Sequence, residues 1–187
     1  VAGPEVFDQN DSDMTAQLTK MKDAKVDFII AYSLSPAAVQ IAKSMQKIGL
    51  KVPWTGTWAL IAPNFLKLGG KELIAGVMAV TSYTTDQSAN AKALHEKMER
   101  VFKDQGGDFY PVGTAQTYDG VRLVLRALDK VGPDPQKIRD ALEEIDDFTE
   151  AVTKMKPHSF SRQNHESLGR DTGFLAVWHD GKVEHAE

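Results

Sequence analysis

The spacing of hydrophobic residues in the first third of the chain predicts a strand, a helix and a second strand. Residues 26–31 form a short apolar run, which is typical of a strand buried on both faces. Between residues 38 and 48, apolar side chains recur every three or four positions and predict one buried face of a helix. Residues 52–54 begin the next strand. The pattern predicts a βαβ unit, which favours an α/β fold.

The ends of this predicted helix carry typical boundary residues. Ser35 suits the N-cap position because its hydroxyl can accept a hydrogen bond from a free amide of the first turn. Pro36 suits the first turn, and Gly49 suits a left-handed residue after the last turn.

Two loops follow the predicted parallel strands, so both open at the carboxyl edge of the sheet, where open α/β sheets bind ligands. We predict ligand contacts from both loops. The candidates are Ser33, Leu34, Ser35, Thr57, Trp58 and Ala59. For Trp58 the alternative is a place in the core, and for Ser35 the alternative is helix capping.

Similar patterns predict the remaining elements. Strands are expected at residues 1–7 and 73–80, and a short helical turn at 63–66 that stops at 69–70. Helices are expected at 13–24, from Ser88 or Asn90 to 104, at 114–131 and from Asp134 onward. A hairpin is expected at 174–184, turning at Asp180 and Gly181.

Composition narrows the class of protein. Of the 187 residues, 42% are hydrophobic and 26% charged, which is ordinary for a globular domain. A net charge of −4 gives no electrostatic reason to expect nucleic acid as a partner. The sequence has no cysteine, which excludes disulfides and thiol chemistry within it.

Enzymatic and metal-dependent functions find little support. No serine elbow, phosphate loop or dinucleotide fingerprint follows any predicted strand. Four histidines, His158, His165, His179 and His185, lie near the end, and together with Asp180 they leave a metal-dependent hydrolase as a third class of function. None has the spacing of a helical zinc site, and residues 8–19 lack the glycine and glutamate of a calcium loop. We therefore expect no enzyme, metal or cofactor.

A collinear set of motifs spans nearly the whole chain. It comprises DSDMTAQLTKMK at 11–22, AKVDFII at 24–30, GLKVPWTG at 49–56, TYDGV at 117–121, IRDALE at 138–143 and DGKV at 180–183. With these motifs the chain resembles the periplasmic solute-binding proteins of ABC transporters, specifically the branched-chain amino-acid (Leu/Ile/Val) type.

The resemblance implies a type I periplasmic binding protein fold, with Rossmann-like lobes of parallel sheets flanked by helices. Residues 1–80 would form most of the second lobe, 81–84 the hinge and 85–168 the carboxyl part of the first lobe. Residues 169–187 would return to the second lobe. The chain would then be the carboxyl-side portion of a longer protein, and its fold would be incomplete.

The function that the resemblance implies is extracytoplasmic binding of a small solute between two lobes, with delivery to a membrane permease. The alternative is a ligand-sensing domain of an amide-responsive regulator or receptor. An incomplete lobe should also expose apolar sheet surface, so we expect this portion of the fold to self-associate.

Comparison of the family's ligand-binding residues with the residues at the same positions in this sequence changes the ligand that we expect. Trp58 stands where the branched-chain binders have a glutamate that pairs with the ligand's ammonium group, and Leu34 stands where they have a tyrosine. The loss of that carboxylate favours an aromatic or aliphatic carboxylate, or an amide, over an amino acid. From the first-lobe side, Tyr110 and Tyr118 are further candidates, and Tyr83 is a candidate in the hinge. For Tyr118 the alternative is helix packing near the cleft.

Overall fold

The computed structural model describes residues 2–103, 109–155 and 160–186. The chain folds into two compact units. Unit 1 comprises Val1–Thr81 and Leu175–Glu187, and unit 2 comprises Ser82–Phe174. The chain therefore leaves unit 1 after Thr81 and returns to it at Leu175. The assignment of these units to a second and a first lobe, and of residues 81–84 to a hinge, stays a prediction.

Unit 1 contains helices and a sheet, whereas the elements described wholly within unit 2 are α-helices joined by loops. The helices of unit 1 are α1 (Thr15–Asp23), α2 (Ser35–Ile48) and α3 (Pro63–Ile74), with a 3₁₀ turn at Trp58–Ile61. Its strands are β1 (Ile29–Ala31), β2 (Trp54–Gly56), β3 (Met78–Thr81), β4 (Phe174–His179) and β5 (Lys182–His185). Unit 2 contains α4 (Ala89–Phe102), α5 (Pro111–Val131) and α6 (Pro135–Leu142).

The five strands form one mixed sheet in the order β1-β2-β3-β4-β5. β1, β2 and β3 are parallel, and β4 and β5 form an antiparallel hairpin. Ala31 lies opposite Gly56, so β1 and β2 end side by side. This register confirms the predicted βαβ unit.

One face of this sheet is packed and the other is partly open. Ile29, Ala31 and Trp54 belong to a core cluster with residues of α1, α2 and α3. On the opposite face, Ile30 is 79% exposed and Val80 is 51% exposed. The expectation that the first strand is buried on both faces is therefore wrong for this chain.

The hairpin at the end of the sheet matches its prediction. Asp180 and Gly181 both have positive φ, 51° and 76°, as a type I′ turn requires. On β4, the indole N–H of Trp178 donates to the carbonyl oxygen of Leu60 at 2.6 Å. The hairpin is thereby fixed to the 3₁₀ turn that follows β2.

A buried carboxylate organises the middle of unit 2. Asp119 on α5 is buried, and its oxygens accept hydrogen bonds from the main-chain amides of Val152 and Thr153 at 3.0 and 2.8 Å. The Thr153 hydroxyl adds a third at 2.6 Å. The side chain of Gln87 donates to the Val152 carbonyl at 2.6 Å from the other direction. These bonds hold residues 152–153 against α5.

Helix boundaries were predicted well where a side chain or a glycine marks them. Ser88 caps α4 by accepting from the Ala91 amide, and Asp134 caps α6. Gly49 ends α2 in the left-handed conformation at φ 64°. Ser35, by contrast, is not the N-cap of α2: Leu34 holds that position.

Three other boundaries were wrong. Residues 2–7 form no strand, contrary to the strand predicted at residues 1–7. α3 runs through Gly69 and past a non-helical Gly70 to Ile74, where a strand had been expected to begin at residue 73. α5 begins at Pro111, three residues before the predicted start.

Candidate functional site

The predicted ligand-binding loops of unit 1 are joined by hydrogen bonds at the carboxyl edge of the sheet. The hydroxyl of Thr57 donates to the carbonyl oxygen of Ser33 at 3.1 Å. The hydroxyl of Ser35 donates to the carbonyl oxygen of Ala59 at 2.8 Å. Each loop thus holds the other through one side chain and one main-chain carbonyl. The structure brings together all six residues predicted in unit 1, and we call this group of residues, 33–35 and 57–59, the rim.

The close approach of the two strands at the rim depends on a glycine. A Cβ atom on Gly56 would lie 2.4 Å from the carbonyl oxygen of Ala31 and 2.8 Å from a methyl group of Leu60. Neither contact is possible for a real side chain. Only glycine therefore permits β1 and β2 to end at this distance from each other.

The side chains that the rim presents outward are apolar. Trp58 is 51% exposed and Leu34 is 60% exposed, whereas Ser33, Ser35 and Ala59 are buried. Trp58 therefore does not lie in the core, the alternative that the sequence left open. The hydroxyl groups of both serines are directed into the protein. The Ser35 hydroxyl donates to the carbonyl oxygen of Ala59, and the Ser33 hydroxyl has no hydrogen-bond partner in the described part of the chain.

One exposed aromatic residue beside the rim was not among the predicted contacts. Burial alternates from Ile29 through Ser35, so Tyr32 follows Ile30 in the exposed set and is 86% exposed. The apolar run ends at residue 31 and the more polar residues 32–35 follow, which hid the continuation of the extended backbone. Tyr32 directly follows β1, and this position was the signal in the sequence that could have identified it.

The three predicted tyrosines of unit 2 all contribute to one apolar cluster. Tyr83 is buried within this cluster, and Tyr110 and Tyr118 pack against it. The Tyr83 hydroxyl donates to the carbonyl oxygen of Ala91 at 3.1 Å. The guanidinium of Arg122 lies 5.6 Å from the centre of the Tyr118 ring. Whether these side chains contact a ligand stays a prediction.

Burial alters the acidity of two of these phenols. It raises the pKa of Tyr83 from its ordinary value of 10.0 to about 12, and it also raises the pKa of Tyr110. The cause in both cases is that a charged phenolate would lose its hydration. Both side chains therefore stay neutral donors at physiological pH.

A cavity of about 560 Å³ in unit 1 lies at the other end of the strands. It is lined by residues that precede β2 and β3, among them Lys51, Pro53, Glu72 and Gly76. In open α/β sheets ligands bind at the carboxyl edge, because the loops that diverge there leave a crevice. We therefore favour the rim over this cavity.

The late histidines do not assemble a metal site among the described residues, which contain no group of three or more potential ligands. His165 lies 3.5 Å from Glu143, and His179 lies 3.3 Å from Glu184. His158 lies outside the described residues. Within the described ranges, no helix combines the length and the apolar character needed to cross a membrane.

Comparison with known proteins gives a consistent result. Residues 1–182 match the family described as periplasmic binding protein. The chain is similar to the leucine-, isoleucine-, valine-, threonine- and alanine-binding protein of Pseudomonas aeruginosa, with 24% identity over 143 residues. That match covers 76% of this chain and 37% of the relative.

Solved structures share the fold. A leucine-binding protein from Thermotoga maritima has a TM-score of 0.79 at 20% identity, covering 97% of this chain and 49% of that one. A solute-binding protein of an ABC transporter from R. palustris, solved with benzoate, has a TM-score of 0.72 at 19% identity, covering 94% and 46%. The chain thus spans about half the length of these relatives. It belongs to the periplasmic binding protein family, whose members are extracytoplasmic binding proteins and not enzymes.

Proposed function

We propose that this chain is part of the solute-binding component of an ABC importer, and that its solute is a small aromatic or aliphatic carboxylate or amide. The expected partner is the membrane permease of that importer. Transport is preferred to the sensing alternative because similar proteins include binding proteins of ABC transporters. Those proteins were solved with valine and with benzoate, so the fold accommodates more than one class of solute.

The observation that carries the choice of solute is the position of Trp58. Its indole is half exposed at the rim, at the position where the resemblance places an ammonium-binding glutamate. Residues 32–36 and 57–59 contain no charged side chain at all. An α-amino group placed there would lose its water without gaining a counter-charge, which is costly. A flat apolar ring placed there would gain contact with the indole.

The start of α2 supports a preference for a negative or neutral polar group. The Ser35 hydroxyl is engaged with Ala59 and so does not cap the helix, and Leu34 at the N-cap has no side-chain acceptor to offer. The first-turn amides of Ser35 and Ala37 precede the intrahelical hydrogen-bond pattern, and the helix dipole is positive at this end. Both features favour an acceptor such as a carboxylate or an amide oxygen.

The test is a thermal-shift and calorimetry series with benzoate, benzamide, hexanoate and leucine on the intact protein. We expect benzoate, benzamide or hexanoate to raise the melting temperature more than leucine does. Trp58→Ala should abolish that shift, and Trp58→Phe should retain most of it. Leu68→Ala, which shortens an exposed apolar side chain on α3, is the matched control and should change nothing.

A gain-of-function variant makes the test sharper. Trp58→Glu restores a carboxylate at the rim, so it should increase affinity for leucine relative to benzoate. Tight leucine binding by the unaltered protein, unaffected by Trp58→Ala, would contradict the proposed solute class. Binding of the acids with no effect of either Trp58 substitution would instead contradict the assignment of the rim.

A further inference from the structure

The chain enters unit 2 at Ser82, and hydrogen bonds within that unit hold this residue by its main chain and by its side chain. The main-chain amide of Lys154 donates to the carbonyl oxygen of Ser82 at 2.8 Å. The side-chain amide of Gln116, on α5, donates to the Ser82 hydroxyl at 3.3 Å. Ser82 is only 4% exposed. The first residue of unit 2 is therefore bonded to two other segments of the same unit.

Gln87 holds the residues that follow. Its side-chain carbonyl accepts a hydrogen bond from the main-chain amide of Thr84 at 3.1 Å, and Thr84 is buried. Its side-chain amide donates to the carbonyl oxygen of Val152 at 2.6 Å and lies 3.4 Å from that of Ser82. A glutamine can do this because its amide group donates and accepts at the same time. One side chain thus joins residues 82–84 to residue 152.

Lys154 contacts the last residue of unit 2 as well as the first. Its ammonium group lies 5.8 Å from the centre of the Phe174 ring, within the range of a cation–π interaction. The chain leaves unit 2 after Phe174. Lys154 therefore connects the residue at which the chain enters this unit with the residue at which it leaves. The two residues before Lys154 are bonded to the buried carboxylate of Asp119 on α5, which gives this connection a firm support.

We propose that residues 152–154 and Gln87 form a clamp that fixes both chain connections to unit 2, and that bending between the units is confined to the links 81–82 and 174–175. The proposal narrows the predicted hinge, residues 81–84, to its first residue. It rests on the proposed function, because the bending serves to close the protein on a solute.

Within this proposal Lys154 and Gln87 are positioning residues for solute binding. They act through the chain connections and not by touching the solute. Confining the bend to two links reduces the number of open conformations that the solute-free protein adopts. It therefore lowers the conformational entropy that closure has to overcome.

Hydrogen exchange, measured with residue resolution on the intact protein without solute, tests whether the clamp exists. We expect the amides of Thr84 and Lys154 to be protected as strongly as those of Val152 and Thr153, because the clamp opens as one cooperative unit. Gln87→Ala removes the acceptor of the Thr84 amide, which should then exchange about tenfold faster or more. The amides in the middle of α5 should keep their exchange rates.

The matched control for this measurement is Gln136→Ala, which truncates an exposed glutamine on α6. It should leave the exchange of Thr84 and Lys154 unchanged. Exchange of these two amides far faster than that of Val152 and Thr153 in the unaltered protein would overturn the proposal. An equal effect of the two glutamine substitutions would overturn it as well.

Calorimetry with benzoate, benzamide, hexanoate and leucine on the intact protein tests the consequence for binding. Lys154→Met keeps the length of the side chain but removes the cation beside Phe174, so it should weaken every solute that binds by the same factor, about two- to fivefold. Lys154→Arg keeps the cation and should restore the affinity. Trp58→Ala, by contrast, should change the ratio of the affinities, because it alters the rim itself.

Lys137→Met, at an exposed position on α6, is the matched control and should leave all affinities unchanged. Far-UV circular dichroism checks that every variant is folded. No effect of Lys154→Met, unequal effects among the solutes, or no recovery with Lys154→Arg would overturn the clamp and leave the proposed function intact. If no solute of the series binds, the proposed function fails, and the exchange of Thr84 and Lys154 alone decides for or against the clamp.

Discussion

The hydroxyl of Ser35 donates a 2.8 Å hydrogen bond to the carbonyl oxygen of Ala59, and so connects the first turn of α2 to the loop that contains Trp58. Thr57 makes a second connection to Ser33. The polar side chains of the rim thus stabilise the loops, and the apolar ones face outward. The loop that contains Trp58 is therefore already held in place before a ligand binds. This lowers the conformational entropy that ligand binding has to overcome.

Replacing Ser35 by alanine tests this connection. The carbonyl oxygen of Ala59 would lose a buried donor, so we expect the free energy of unfolding to fall by about 1–2 kcal/mol. Urea denaturation measures the difference. Ser12→Ala, at an exposed position, should change it by less than about 0.5 kcal/mol. Equal effects of the two substitutions would show that the Ser35 bond contributes nothing.

The close approach of β1 and β2 at the rim predicts a large effect of Gly56→Ala. The new Cβ atom would meet the Ala31 carbonyl at 2.4 Å, so the strand ends must separate. We expect a loss of about 1–3 kcal/mol in stability, measured by thermal or urea unfolding.

The control for Gly56 is Gly120→Ala. Gly120 lies within α5, and a Cβ atom there meets nothing within 4 Å. Alanine should therefore stabilise the protein by about 0.5–1 kcal/mol, because it restricts the unfolded chain and favours a helix. If both variants lost stability equally, steric contact at Gly56 could not be the cause.

Asp119→Asn tests the carboxylate that holds residues 152–153. The protein directs three hydrogen-bond donors, two main-chain amides and one hydroxyl, at the Asp119 carboxylate. Asparagine replaces one of the two acceptor oxygens by an amide group that can only donate, so one hydrogen-bonding group must be left unpaired. We expect a loss of about 2–3 kcal/mol in the stability of unit 2, measured by urea denaturation. Asp147→Asn removes an exposed ion pair with Arg126 and should cost less than about 1 kcal/mol.

Alkaline pH should destabilise unit 2 through Tyr83. The unfolded phenol ionises near pH 10 and the folded one near pH 12, so above pH 10 the unfolded state has released a proton that the native state retains. The stability is fully present below pH 10, and it falls as the pH rises toward 12, by at most about 1.4 kcal/mol per pH unit for this group.

The variant that checks this is Tyr83→Phe. At pH 7 it should be somewhat less stable than the unaltered protein, because the bond to the Ala91 carbonyl is lost. Between pH 10 and 12 its melting temperature should decline less steeply. Parallel declines in the two proteins would exclude Tyr83 as the group responsible.

The βαβ unit and the hairpin could be predicted from the sequence because local patterns determine them. Glycine at positions 49 and 181 and the spacing of apolar residues in α2 each depend only on near neighbours. The capping of α2 could not be predicted, because the partner of Ser35 is Ala59, which lies 24 residues away. A serine before a proline is consistent both with capping the helix and with donating to a distant carbonyl oxygen.

The open face of the sheet could not be predicted from strand composition. An apolar run such as residues 26–31 is the same whether both faces or one face is covered, since coverage depends on elements elsewhere. At the rim, the sequence identified the loops through strand order. It did not show which side chains face outward, because the extended backbone that continues past β1 decides that.

The bond from Trp178 to Leu60 joins residues 118 positions apart, and it has a consequence for the order of events during synthesis. The ribosome completes all of unit 2 before it makes the hairpin that finishes the sheet of unit 1. While unit 2 is being synthesised, residues 1–81 therefore lack β4, the strand that lies next to β3 in the finished sheet. During that interval nascent unit 1 should depend on chaperones, and it should be released from them once the hairpin emerges.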